Sequence, residues 1–260
     1  MRFAYEHADT YLRWEASRYV ELRGPAAEDL DRRIGAFLDW HRSRALPQYE
    51  KLAREAARRL EKGLAPQDMV WGYDSFVAQA RESLREGGAE LGPVLDRLSA
   101  QQVAHLERAF AEDNRKFARE HLRGDEKERR KRRAKQTADR LEDWVGKLST
   151  AQVARVKQYS ERAPLVDELR LRDHQRLQAE LVAMARSGES TRRLPEAAAY
   201  ADRGREPAYA AAADAQRREF FALLADLDRT LTHEQRGKAA RRLRAFADDF
   251  AALAAPRHGR

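Results

Sequence analysis

The chain has 260 residues, a net charge of +8 and 36% charged side chains, well above an average soluble protein. Its 42% hydrophobic content is enough to build a core. The absence of cysteine excludes disulfides, thiolate metal sites and a thiol nucleophile. No stretch approaches the roughly 18 uncharged apolar residues of a membrane span, and Met1 leads into RFAYEHADTYLRW with no apolar signal-peptide region.

Ala, Leu, Arg and Glu dominate, and Ile34 is the only isoleucine. These residues lose little side-chain freedom in a helix, so the composition predicts an all-α protein. Apolar positions recur with a helical period almost throughout. Ala8, Tyr11, Leu12, Tyr19 and Val20 mark a first helix within 4–22, and Gly24-Pro25 ends it and starts a second carrying Leu30, Ile34, Phe37 and Leu38. Pro47 opens a third that runs to Gly63. Pro66 opens a fourth, whose Met69, Tyr73, Phe76, Val77, Ala80 and Leu84 read as a core stripe. Gly87-Gly88 is expected to break the chain before a short helical piece at Leu91, Val94 and Leu95. Further helices follow behind Ser99, Asp125 and Ser149, and again from Leu165 to Met184. Residues 187–205, with Gly188, Pro195 and Gly204, read as a loop. Tyr209 to Leu227 and Leu243 to Leu253 mark the last two helices, and 254–260 should fray. The expectation is about ten helices, packed antiparallel through short links as a curved or cradle-like bundle. They form one all-α domain over 1–260, with 187–205 as the one place for a subdivision.

One motif occurs three times: Leu98-Ser99-Ala100-Gln101-Gln102, Leu148-Ser149-Thr150-Ala151-Gln152 and Leu231-Thr232-His233-Glu234-Gln235. Its spacing is that of a capping box. Ser99, Ser149 or Thr232 accepts from the amide three residues on, and Gln102, Gln152 or Gln235 reaches back to the cap amide. Leu98, Leu148 and Leu231 stand where a hydrophobic staple places its first residue; Val103 and Val153 supply the second, and Arg236 only its stem. Helix physics therefore accounts for every fixed letter. The motif also resembles the L-T-x-x-Q signature of Spy-type periplasmic chaperones, which implies a helical cradle for unfolded clients.

A broader resemblance covers nearly the whole chain. FAYEHADTYLRWEASRYVELRG at 3–24, WHRSRALPQYEKL at 40–52, HLERAFAEDNRKFAREHL at 105–122 and ERRKRRAKQTADRLEDWVGKLSTAQ at 128–152 resemble a family of uncharacterised proteobacterial candidate lipoproteins. Members of that family carry a signal peptide and a lipid-modified cysteine upstream of the first segment. The resemblance implies a periplasmic, membrane-anchored protein and no particular chemistry.

The run EKERRKRRAK at 126–135 is the strongest charge feature. Arg129, Arg130, Lys131, Arg132 and Arg133 are consecutive, so at ~100° per residue they should surround a helix and be solvated on every side or meet a polyanion. Trp14, Trp40, Trp71 and Trp144 sit beside apolar stripes and read as core or groove residues. Trp40-His41-Arg42 and Asp113-Asn114-Arg115 place polar groups beside helix stripes, where burial demands partners. The candidate binding residues are therefore Trp14, Trp40, His41, Asn114, Arg115, Arg129, Arg130, Arg132, Arg133 and Trp144. No zinc-protease, di-iron, phosphate-loop or nucleophile-elbow motif is present, and no catalytic residue, metal ligand or cofactor is implied. These features together point to a non-catalytic cell-envelope binding protein, chaperone-like, with protein clients or envelope proteins as partners. A basic helical module for nucleic acid is the runner-up, and a helical scaffold for protein–protein contacts is the third reading.

Overall fold

The computed structural model describes Tyr5 and residues 7–255. Among these residues all regular structure is helical. The helices are α1 (Ala8–Tyr19), α2 (Pro25–Trp40), α3 (Leu46–Lys62), α4 (Pro66–Leu95), α5 (Ala100–His121), α6 (Glu126–Val145), α7 (Thr150–Arg162), α8 (Asp167–Ser187), α9 (Ser190–Ala199), α10 (Pro207–Asp228) and α11 (His233–Ala254). A π turn at His41–Ala45 joins α2 to α3, so the bundle has ten rods. No helix among the described residues is long and apolar enough to cross a membrane. α11 still includes Ala254, and the rest of the stretch expected to fray, beyond Ala255, lies outside the described residues.

The π turn corrects the expected helix start at Pro47. Proline has no N–H, and its ring crowds the carbonyl four residues earlier. Just before Pro47 the chain widens, and Leu46 N–H donates to the carbonyl of His41, five residues back. That adjustment keeps the helix continuous through the proline.

The expected break at Gly87-Gly88 is also absent. α4 runs unbroken through both glycines, and the short piece at Leu91–Leu95 is its last turns. The glycines serve packing instead. A Cβ on Gly88 would lie 2.9 Å from Leu194 O and Pro195 Cα, and one on Gly92 would lie 2.7 Å from Thr191 Cα and 2.8 Å from Ser190 O. The backbone of α9 thus rests directly on this face of α4. The predicted loop at 187–205 therefore contains a helix, α9. Its amino end has no capping side chain of its own. Asp96, at the end of α4, caps it from 94 residues away, accepting from Ser190 N at 2.6 Å and Thr191 N at 2.9 Å.

The three motif copies are N-caps. Ser99, Ser149 and Thr232 each accept from the N3 amide, with a reciprocal bond from the glutamine, at the starts of α5, α7 and α11. The second and third copies also clasp each other. Gln152 Nε2 donates to Gln235 Oε1 at 3.0 Å and Gln235 Nε2 donates to Gln152 Oε1 at 3.1 Å. Gln152 Nε2 also reaches Thr230 O and Gln235 Nε2 reaches Lys147 O, the residues just before the opposing leucines. The first copy is bound to a different partner, Glu21 O, through Gln102 Nε2 at 2.8 Å.

The core is divided. One cluster, around Leu95, Val103, Leu106, Val182 and Met184, joins α4, α5 and α8. A second, around Leu148, Val156, Tyr159, Leu223 and Leu227, joins α7 and α10, and a third sets Leu60 against Ala239 and Ala240 of α11.

Two predictions follow from this packing. Gly92→Ala should cost about 1–3 kcal/mol by forcing a methyl against the α9 backbone. Gly72→Ala, where a Cβ meets nothing within 4 Å, should gain up to about 1 kcal/mol from helix propensity; equal effects in urea melts would contradict the close-approach account. Gln152→Ala and Gln235→Ala should each cost about 1–3 kcal/mol. The double variant should cost less than their sum, by about 0.5–3 kcal/mol, because both sit in one network.

Candidate binding surfaces

The inner face of α6 is the central feature. Asp125 caps the helix by accepting from Glu128 N at 2.8 Å. No residue of the helix is buried, although it packs on both α7 and α11. The reason is a cavity of about 620 Å³ lying between the second and third core clusters. α6 lines it at helical spacing: Arg129, Arg132 and Arg133, then Gln136, Thr137 and Arg140, then Leu141, Trp144 and Val145. The face grades from basic to apolar along ~24 Å of helix. Leu60, Leu64, Phe220, Leu224 and Leu227 from α3, the loop after it and α10 complete an apolar floor. Arg170 adds a fifth guanidinium at the polar end, and the acidic lining residues are Glu120, Asp167 and Asp228. Asp228 is engaged by Arg236 at 2.6 Å, and Asp167 lies 3.6 Å from Arg170.

The basic run is not solvated all round, which corrects the sequence expectation. Lys131 is exposed, but Arg129, Arg130, Arg132 and Arg133 are half-buried. The physical reason is the carboxyl end of α7, whose carbonyls have no helical acceptor role left to fill. Arg133 donates to Pro164 O at 2.7 Å and Ala163 O at 2.7 Å, and Arg130 to Ser160 O, Glu161 O and Ala163 O. Ser160 Oγ returns a bond to Arg130 O at 2.6 Å. Burial pulls the Arg133 guanidinium below its ordinary pKa. Arg129 pairs with Glu168 at 2.9 Å, while its Nε is buried with no acceptor.

The remaining candidates lie elsewhere. Trp40 and His41 belong to an aromatic group at the π turn: Trp40 stacks on Phe37, and the His41 ring contacts Phe37 and Tyr49. His41 Nδ1 lies 2.7 Å from the Tyr5 hydroxyl, and burial, with Arg42 beside it, lowers the His41 pKa. Asn114 donates to Gln178 Oε1 at 2.7 Å between α5 and α8, and Arg115 is exposed beside it. Its neighbour Asp113 accepts from Tyr19, whose phenol is pushed up to about 12 by burial and then by that carboxylate. Trp14 is 57% exposed on α1. The ten candidates thus fall in separate places, and only Arg129, Arg132, Arg133 and Trp144 share the cavity.

A second surface lies along α4. Val70, Tyr73, Phe76, Leu84 and Leu91 are exposed by 37% or more and fall within one ~120° arc. The stripe read as core is therefore partly external. Arginines surround it: Arg217 lies over the Tyr73 ring and donates to its hydroxyl at 3.2 Å, and Arg81, Arg85 and Arg203 pack on Tyr200. The cavity floor and the arginines at 140 and 170 were missed from sequence. Tracing α6 by threes and fours from Arg129 to Val145 would have found the graded face; the contribution of α10 needs tertiary structure.

Arg133→Gln should cost about 1–3 kcal/mol, because it strands carbonyls at the end of α7. Lys131→Gln, one position from two half-buried arginines, should change stability by less than about 0.5 kcal/mol. Equal effects in denaturant titration would restore the fully solvated reading of the run.

Residues 18–198 match the model of a family of unknown function, DUF6279. No curated protein and no solved structure matches the chain. The family match takes in α2 through most of α9, including every helix that contributes an arginine to the cavity, while the part of the floor from α10 and α11 lies beyond it. Since the match spans more than two-thirds of the sequence, the chain belongs to the DUF6279 family.

Proposed function

We propose that this chain is a non-catalytic binding protein of the bacterial cell envelope that holds apolar segments of protein clients, in the manner of a chaperone, along α4. The observation that carries the reading is the exposed row Val70, Tyr73, Phe76, Leu84 and Leu91 on one helix. A continuous apolar face on a protein surface is the usual mark of a partner site. The arginines beside it are paired with Asp202, Glu82, Glu196 and Asp214, so the apolar row and not a basic rim carries the affinity for a client. The resemblance of the segment at 3–24 to candidate lipoproteins supports a periplasmic location and a lipid anchor on a cysteine upstream of this chain. The three L-[ST]-x-x-Q copies support the likeness to Spy-type chaperones.

The nucleic-acid reading loses its main support. Arg130 and Arg133 of the basic run are spent on backbone carbonyls of α7 rather than presented to a polyanion. A scaffold that binds one folded partner through the same α4 row is the second reading.

The test is light scattering of a chemically denatured client diluted into buffer without ATP. A threefold excess of the protein should suppress the rise. Phe76→Asp with Leu84→Asp should abolish it. Unchanged scattering with the unaltered protein overturns the chaperone reading and leaves the scaffold.

A further inference from the structure

The cavity beside α6 plays no part in that function, and its chemistry is distinct from that of the α4 row. Its walls are divided lengthwise. At one end stand Arg129, Arg132 and Arg170; at the other, Leu141, Trp144, Leu60 and Leu224, with Arg140 between the two. Arg133 is already committed to the carbonyls of α7. Arg129 is not fully committed: its Nη1 bonds Glu168, but its buried Nε has no acceptor. A guanidinium with an unmet donor beside a cavity suits an anionic ligand there better than a cationic one. At the apolar end Leu141 and Val145 rest on the second core cluster only from its edge and stay half-buried, so the face they share with Trp144 lines the void.

We propose that this cavity binds a single-chain anionic amphiphile, with its long alkyl chain on the leucine floor and its head group, a carboxylate, among the arginines at the α6 amino end. The volume of about 620 Å³ is that of a small-molecule site. An extended client suits an open surface such as the α4 row. A cationic head is disfavoured, because Arg129 and Arg170 have the carboxylate partners Glu168 and Asp167 while three further arginines, Arg132, Arg133 and Arg140, line the cavity with no carboxylate paired to them. A nucleotide suits the arginines but leaves the floor unmatched. A carboxylate among guanidiniums forms charge-assisted bonds, the strongest kind available in a half-enclosed site. The chain removes the apolar wall from water, and that burial supplies most of the affinity.

The test is isothermal titration calorimetry of the whole chain, without any client, using laurate and dodecylammonium below their micellar concentrations. These probes share a chain and differ in the sign of the head. Laurate should bind at one per protein, and dodecylammonium at least tenfold more weakly. Arg140→Gln with Arg170→Gln should weaken laurate about tenfold, the scale of a lost charge-assisted contact. Leu224→Glu, which sets a carboxylate on the floor, should abolish binding while the circular dichroism of the helices is retained. Should Leu224→Glu fail to fold, the arginine pair decides the question, since Arg140 is exposed and carries no structural bond to the neighbouring helices. Equal affinity for the two probes overturns the proposal, because it means adsorption to any apolar surface. Binding of many laurates per protein, or laurate binding unchanged in the arginine pair, overturns it as well. Since no client is present, failure here leaves the α4 reading standing, and failure of the scattering assay leaves this one standing.

Discussion

A helix that ends inside a protein leaves amide donors or carbonyl acceptors without partners, and this bundle depends on supplying them from elsewhere in the chain. Ten rods create many such ends. The glutamines of the second and third motif copies each close their own cap and then donate across to the link that precedes the other. Asp96 starts α9 from the far end of α4. Arg236 donates to Leu60 O, at the end of α3, at 2.7 Å and grips Asp228 at the end of α10. Apolar contacts are non-directional, and here they are split among three clusters. Directional bonds at the helix ends therefore determine which end meets which. An error at any of them strands a buried polar group, which costs more than the bond itself contributes.

The division of the core has a consequence for binding. A single core at interior packing density leaves no room for a ligand. Two clusters joined at their edges by α6 and α11 leave a lined void, and the side chains along it are partly wet. Such a void needs no loop or lid. It needs a helix whose face is not fully used by the fold, and α6 beside the cavity and α4 with its exposed row are two such helices.

Much of this was legible in the sequence. Helical period, caps and glycine stops located most of the rods, and the fixed letters of the repeated motif were accounted for by local capping. What local reasoning could not supply was the distant partner. Gly87-Gly88 carries the signal of a break, yet α9 lying on α4 turns that signal into a packing surface. Residues 187–205 lack a local cap because their cap is Asp96. Pro47 reads as a start because a π turn leaves no compositional mark. The candidate site shows the same pattern. Trp144 stands on one helix with Arg129, Arg132 and Arg133 and could be selected with them from sequence, whereas Arg170, Leu60, Phe220 and Leu224 come from helices that only the fold brings to them.

The basic run shows why residue identity matters beyond charge. The sequence holds 42 arginines and nine lysines, and within 126–135 the two types separate by environment. Lys127, Lys131 and Lys135 are exposed, while Arg129, Arg130, Arg132 and Arg133 are half-buried. An ammonium is a compact, strongly hydrated charge that holds its water. A guanidinium is weakly hydrated and planar, with five donors, so one group can satisfy several carbonyls while its stem packs on apolar neighbours. Arg133 does this at the end of α7. Counting both types as equal charges made the run look like a solvated band around a helix. Read by type, the lysines mark the outer face and the arginines the inner one. The net charge of +8 is thus not a uniform coat offered to any polyanion: part of it is spent on backbone carbonyls at the end of α7, and part lines the cavity beside α6.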